Sequence, residues 1–370
     1  MKIKDVRCEL YLRERPEPTR TTRGGYRPAV GKMPLTMIRI ITDDGIEGFG
    51  SAGKEINENT VSILKSELIG RDPFDREWIW QRLWYLLGAM TPDLETLAAI
   101  DIALWDLAGK LLGLPVYKLL GAYRDKIRVY ASSLRYPTIQ EYVDDVLSCK
   151  QQGITAYKIH SYWGIGKMDI ELCRAVREAA GNDMILVHDP IGRYNREEAL
   201  LIGRELEKLN YYWFEEPVPD YDIEGLVMLR EKLNIPIAAT ETIPMGIFSI
   251  PEYLLRRACN IVRCDTRFHG GITPCKKIAS MCEAFGMKCE LHTFVQSVVG
   301  SPNLDGGVPN LHLQCAIKNC EFYEVAWPRE NIGLKEQPKL DSEGYIHVPE
   351  KPGLGIDIDW EALGKPEAKF

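Results

Sequence analysis

Apolar and polar residues alternate with a period of two along KDVRCELYL, LTMIRIITDD and IEGFGSA. That period predicts strands, the last two joined by a turn at Asp44-Gly45. Between the first two lies ERPEPTRTTRGGYRPAVGK, whose Pro, Gly, Thr and Arg content predicts a long polar loop. From about Thr60 to Leu120 the period becomes helical. LETLAAIDIALWDLAGKLLGLP is apolar on more than one face, which predicts a helix buried among other elements, stopping at Gly113 with Pro115 beyond. After Arg124 short apolar runs alternate with amphipathic stretches: KIRVYASS, AYKIHS, DMILVHD, YYWFEEP, PIAATET, NIVRCDT, MKCELHT and CEFYEVA. Most of these runs finish on polar residues, and we take Ser132, His160, Asp189, Glu215, Glu241, Asp265, His292 and Glu324 as markers, spaced 24 to 32 residues apart. A βα repeat of that length with eight strands predicts a closed parallel barrel. The rival, an open doubly wound sheet, would carry an early glycine-rich phosphate turn, and none follows the first barrel-type strand. The tail, GYIHVPEKPGLGIDIDW, predicts short strands packing back on the first segment.

Composition narrows the functional classes. A chain of 370 residues leads us to expect about two domains. With 45% hydrophobic and 27% charged residues it is neither a disordered chain nor a fibre or long coiled coil. A net charge of −7 gives no basic footprint for nucleic acid or for a membrane surface, and no apolar run is long enough to span a bilayer. MKIKDVRCEL lacks the apolar core of a secretory signal. The 10 cysteines show no C-x-x-C and several, such as Cys264 and Cys289, sit in apolar contexts. They read as buried free thiols of a cytoplasmic protein rather than a disulfide framework or zinc site.

Catalytic residues of a parallel barrel gather at the carboxyl ends of its strands. Asp189, Glu215 and Glu241 end three consecutive predicted strands. Three converging carboxylates repel one another unless a cation neutralises them, and an all-oxygen set suits a hard ion, Mg2+ first. The plain alternative is three solvated loop acids. Lys158 and His160 are two apart on one strand and so face the same way. Asp265 and His292 end neighbouring strands, where the carboxylate can fix the tautomer of the imidazole and raise its basicity. A metal beside opposed bases can stabilise the enediolate formed when the proton α to a carboxylate is removed.

These residues resemble the enolase superfamily, and within it the mandelate racemase-like group, over nearly the whole chain. AIDIALWDLAGKLLGLPVYKLLG, WFEEPVP and DTRFHGGIT, with Asp265, Gly270 and Gly271, carry the likeness. The resemblance implies an α/β fold: a modified TIM barrel, (β/α)7β, under an N-terminal α+β capping domain completed by the C-terminal segment. The divisions expected are 1–125, 126–324 and 325–370. It also implies one Mg2+ held by Asp189, Glu215 and Glu241, with Glu216 beside the second ligand. An Asp265–His292 dyad follows, with Glu324 as the acid that hydrogen-bonds the substrate carboxylate. Two departures stand out. The usual Lys-x-Lys is Lys158-Ile159-His160, which puts His160 in the base position and leaves open which of the two takes the proton. The usual Asp-x-Asn is Asp189-Pro190-Ile191, which makes room for a local specificity contact from Arg193 or Tyr194. Capping-domain loops around Arg20, Arg23 and Tyr26 and around Lys54 are implied substrate contacts, and Tyr162 and Trp163 are placed to line the mouth.

The expected activity is dehydration of an acid sugar to a 2-keto-3-deoxy acid, with a small carboxylic acid as partner and a homo-oligomer as the assembly. A racemase, epimerase or cycloisomerase would use the same constellation. A non-catalytic metabolite-binding barrel would show a lost ligand or dyad member, and both sets are intact. A nucleotide-dependent oxidoreductase lacks its glycine turn.

Overall fold

The computed structural model describes residues 1–14, 19–20, 26–27, 32–88, 93–161, 166–293, 307–327 and 333–370. The alternating N-terminal stretch is β1 (Ile3–Glu14), followed by the short β2 (Thr19–Arg20) and β3 (Tyr26–Arg27), then β4 (Lys32–Thr42) and β5 (Glu47–Ala52). β1 and β4 pair antiparallel as far as Glu14↔Lys32, and β2 pairs with β3. Strand pairing thus enters the stretch that composition assigns to loop. Backbone N–H and C=O groups pair wherever a partner strand is in register, whatever the side chains.

Three helices, α1 (Glu58–Leu68), α2 (Arg76–Leu86) and α3 (Leu94–Leu112), pack on this sheet, with the single turn α4 (Val116–Leu119) after them. α3 is buried continuously from Thr96 to Leu104, as its all-round apolar pattern predicts, and stops at Gly113, which takes φ +67°. Gly48 and Gly50 of β5 lie against the backbone of α3 so closely that a Cβ on either would collide with it.

The repeat that follows runs β6 (Lys126–Ser132), α5 (Ile139–Gln151), β7 (Ala156–His160), α6 (Gly166–Ala180), β8 (Ile185–Asp189), α7 (Arg196–Lys208), β9 (Trp213–Glu215), α8 (Ile223–Lys232), β10 (Ile237–Ala239), α9 (Ile250–Leu255), β11 (Ile261–Cys264), α10 (Ile272–Ala284), β12 (Lys288–Leu291), α11 (Val308–Gln314) and β13 (Phe322–Ala326). Among the described residues these make a nearly closed barrel of eight parallel strands, ordered β12-β11-β10-β9-β8-β7-β6-β13. The (β/α)7β expectation is met. The last junction is closed by one backbone bond, Cys289 N to Asn319 O at 2.8 Å, and by side chains: Glu290 Oε1 accepts from Glu321 N at 2.8 Å and Oε2 from Phe322 N at 3.2 Å. Glu324 Oε2 accepts from Thr293 N at 3.2 Å across the same seam.

Alternation divides the barrel strands. Tyr157, Ile159, Leu186, Phe214 and Val262 face the helix ring, whereas Tyr130, Ala156, Val187, Trp213, Ala238, Ile261 and Phe322 fill the interior. The tail itself divides. β14 (Tyr345–His347) pairs with β6, and after α12 (Trp360–Leu363) the last strand, β15 (Ala368–Lys369), pairs with β1. The cap is pinned to the turn between β11 and α10: Trp80 Nε1 donates to Gly270 O at 2.8 Å, and Asp101 accepts from Thr273 N at 2.9 Å. All ten cysteines are free and buried. No helix among the described residues is long and apolar enough to cross a membrane.

Candidate active site

Parallel register sets the site. His160 pairs with Asp189 across β7 and β8, and Glu215 pairs with Ala238 across β9 and β10. Asp189 and Glu215 end their strands, Glu241 lies two residues beyond β10, Asp265 and His292 each follow a strand by one residue, and Glu324 sits in the middle of β13. The β10 backbone leaves its strand early because Thr240 takes φ +89°, held by Thr240 N to Asp220 Oδ1 at 3.0 Å and Thr240 Oγ1 to Arg263 O at 2.8 Å.

Asp189, Glu215 and Glu241 each offer an oxygen, all within 4.8 Å of one another. Oxygens on one octahedral Mg2+ lie about 3 Å apart in adjacent positions and about 4.2 Å across, so small side-chain shifts bring this set to bonding distance. Burial pushes the Glu241 carboxyl up to about 7, despite the opposing pull of His292 and Lys158. A half-buried acid pushed away from ionisation beside two buried carboxylates makes a set that a cation satisfies. The donor chemistry therefore fits a hard divalent ion.

Lys158 is fully buried inside the barrel, its Nζ 2.8 Å from Glu324 Oε1, 2.9 Å from Glu215 Oε1 and 3.2 Å from Asp189 Oδ2. Burial alone would lower its pKa, but Glu215 first and Glu324 next hold it well above the ordinary lysine value. It is a fixed cation and does not line the cavity. His160 does line it. Its Nδ1 is 3.0 Å from the Ser133 carbonyl oxygen, which only accepts, so that nitrogen carries a hydrogen and Nε2 faces Asp189 Oδ2 at 3.0 Å.

On the other flank, His292 Nδ1 lies 2.8 Å from Asp265 Oδ2 and Nε2 3.4 Å from Glu241 Oε1. Asp265 Oδ1 accepts from Arg267 N at 2.8 Å and Asn310 Nδ2 at 3.1 Å, and the Phe268 ring stacks on the imidazole at 5.7 Å. Burial lowers the His292 pKa, yet Glu241, Glu324 and Asp265 together leave it raised above the usual imidazole value.

Sequence reasoning missed Arg263. It is wholly buried, with Nε 3.1 Å from Glu215 Oε1 and Nη2 2.9 Å from Glu324 Oε2 and 3.1 Å from Tyr130 Oη. Its position two residues before Asp265 put it on the interior face, so strict alternation was the signal. Burial would raise the pKa of Glu324, but Lys158, then His292 and Arg263, hold it well below the carboxylate range. Glu324 also lines the cavity, where the resemblance places the acid that meets the substrate carboxylate.

The cavity holds about 420 Å³ and is also lined by Ser132, Ile191, Arg193, Glu216, Asp220 and Tyr221. Glu216 takes φ +38°, and burial with the facing Asp220 pushes its carboxyl well up. Arg193 is at the wall, as its position after β8 suggested; Tyr194 is instead buried behind β8. Lys54 bonds Asp93 at 2.7 Å beside a shallow depression that shares Thr242 and Phe268 with the cavity. Arg20 and Tyr26 are backbone partners in the β2–β3 hairpin, their side chains outside the description. Arg23, Tyr162 and Trp163 lie outside the described residues.

Residues 9–121 match the family model "Mandelate racemase / muconate lactonizing enzyme, N-terminal domain", and residues 141–362 match "Enolase C-terminal domain-like". The chain is 31% identical to L-talarate/galactarate dehydratase of Salmonella typhimurium, over 90% of this chain and 83% of that one. It is 30% identical to D-galactarolactone cycloisomerase of Agrobacterium fabrum, over 98% of each. A crystal structure of D-glucarate dehydratase from Agrobacterium tumefaciens complexed with magnesium superposes with a TM-score of 0.86 at 33% identity, covering 98% of both chains.

Proposed function

As the chain belongs to the mandelate racemase / muconate lactonizing enzyme family of the enolase superfamily, we propose that it removes the proton α to the carboxylate of an acid sugar and eliminates water to give a 2-keto-3-deoxy acid. The observation that carries this reading is the flanking of one carboxylate triad by two imidazoles, His160 against Asp189 and His292 against Glu241, in a single cavity. Relatives named for dehydration of talarate, galactarate and glucarate support it.

Asp189, Glu215 and Glu241 would hold Mg2+, which when bound supplies the positive charge that makes an α-proton beside a carboxylate acidic enough to remove. His160 takes that proton at Nε2, because its Nδ1 hydrogen is committed to Ser133. Lys158, locked among three carboxylates as a cation, balances their charge and is not the base. His292, oriented by Asp265, protonates the departing β-hydroxyl from Nε2. Glu324, on the cavity wall, meets the substrate carboxylate. Arg193, on the cavity wall, meets the far end of the acid.

The test is incubation with Mg2+ and a panel of aldonic and aldaric acids and their lactones in D2O, reading keto-acid formation and loss of the α-proton NMR signal. Keto acid from at least one acid is expected. Exchange without keto acid would replace dehydration by epimerisation, and conversion of an acid-sugar lactone by cycloisomerisation. Neither exchange nor product from any acid would overturn the reading.

A further inference from the structure

A second set of polar side chains lies buried behind the cavity, between β7, β8 and α6. Asp169, in the first turn of α6, is fully buried. Ser161 Oγ donates to its Oδ1 at 2.9 Å and Tyr194 Oη to its Oδ2 at 2.8 Å. With its hydrogen given to Asp169, the Tyr194 oxygen accepts from His188, whose Nε2 is 3.0 Å away. The Nδ1 of His188 is buried with no partner among the described residues, which is compatible with the hydrogen standing on Nε2. The ring of His188 also stacks with those of Tyr194 and Phe214, which meet each other at a tilt.

The position of this chain of bonds matters more than its strength. Ser161 is the residue after His160, and His188 is the residue before Asp189. Ile159↔His188 and His160↔Asp189 are adjacent rungs of one ladder. The chain therefore grips both strand ends from outside the barrel, one residue from the imidazole and one from the carboxylate whose 3.0 Å contact stands at the rim. The carbonyl of His160 is gripped on the same side, accepting from Tyr142 Oη at 2.6 Å. Buried hydroxyl-to-carboxylate bonds cost free energy to break, because each leaves an unsatisfied polar group behind, so they hold one geometry.

We propose that Asp169 and Tyr194 are positioning residues, which through Ser161 and His188 set the placement of His160 relative to Asp189. The proposal rests on the roles given above to those two residues. Its experiment uses the Mg2+-loaded protein labelled with ¹⁵N in its histidine rings. In Tyr194→Phe, whose ring packing is kept, the ring signals of both His188 and His160 move, whereas those of His312 and His347 stay. The kcat of the acid turned over fastest in the panel falls about ten- to hundredfold with KM within about twofold. Ser161→Ala, acting from the other end, does the same, and the double variant is no worse than the poorer single one. A His160 signal that stays put, or a kcat unchanged in both single variants, overturns the proposal. If no acid in the panel is turned over, the proposed function fails, and the His160 signal still decides whether the clamp reaches the site.

Discussion

Among single residues, His292 carries the sharpest expectations. Its Nδ1 is committed to Asp265 and its Nε2 faces Glu241, so both nitrogens have defined tasks. His292→Asn is expected to lower turnover by about two to four orders of magnitude, the range for removing a general acid or base, while Mg2+ affinity by calorimetry stays within a few-fold. Full activity in that variant would remove the dyad from the mechanism. The raised pKa of His292 keeps it protonated further into neutral pH than a free imidazole. A step that needs the acid form then persists to higher pH than with an ordinary imidazole and fades as pH rises further. Asp265→Asn withdraws one of the raising charges, so the alkaline limb of the rate profile is expected at lower pH. Lys158 and His160 sit two apart in sequence and look interchangeable there. Only burial separates them: one is sealed inside the barrel by three carboxylates, the other reaches the cavity.

At the level of elements, eight strands were readable from eight apolar runs with polar ends, but not how the ring closes. Seven junctions are backbone ladders; at the eighth, Glu290 accepts the N–H groups of Glu321 and Phe322. Glu290→Gln places an amide NH2 where one of these acceptors stood. A loss of about 1–3 kcal/mol is expected, read as a lower denaturant midpoint with unchanged slope. An unchanged midpoint would mean that the seam is held elsewhere. The limits of the strands were less legible. PIAATET reads as a strand ending on Glu241, yet Thr240 turns out of β10 with positive φ because Asp220 and the Arg263 carbonyl capture its polar groups. Those partners are 20 and 23 residues away in the chain, beyond any local pattern.

For the molecule as a whole, cation binding and stability are one quantity. At a free Mg2+ concentration of about 100 Kd the folded state gains about 2.7 kcal/mol, enough to raise Tm by several degrees. Glu241→Gln is expected to lose most of that response. The same variant tests the sign of a pH effect. A carboxyl whose folded pKa is raised to about 7 contributes stability in full only below its unfolded value, and loses it as pH climbs through 7. The metal-free protein should therefore melt at lower temperature at pH 8 than at pH 6, and Glu241→Gln should flatten that slope. Equal slopes in calorimetry would show that Glu241 is not the group responsible.

Local regularity was enough for the repeat, the all-round apolar α3, its stop at Gly113 and the polar residues that mark strand ends, because period and turn chemistry are properties of neighbours in the chain. The grouping of Asp189, Glu215 and Glu241 followed from the same regularity, since parallel strands in register bring equivalent ends together. Distance, burial and charge balance did not. That Arg263 joins Lys158 in the barrel, that both grip Glu324, and that Tyr194 turns to Asp169 instead of the cavity are decided by side chains meeting from strands and helices far apart in sequence. The energy of a buried charge depends on every neighbour that surrounds it, and those neighbours are assembled only when the chain is folded.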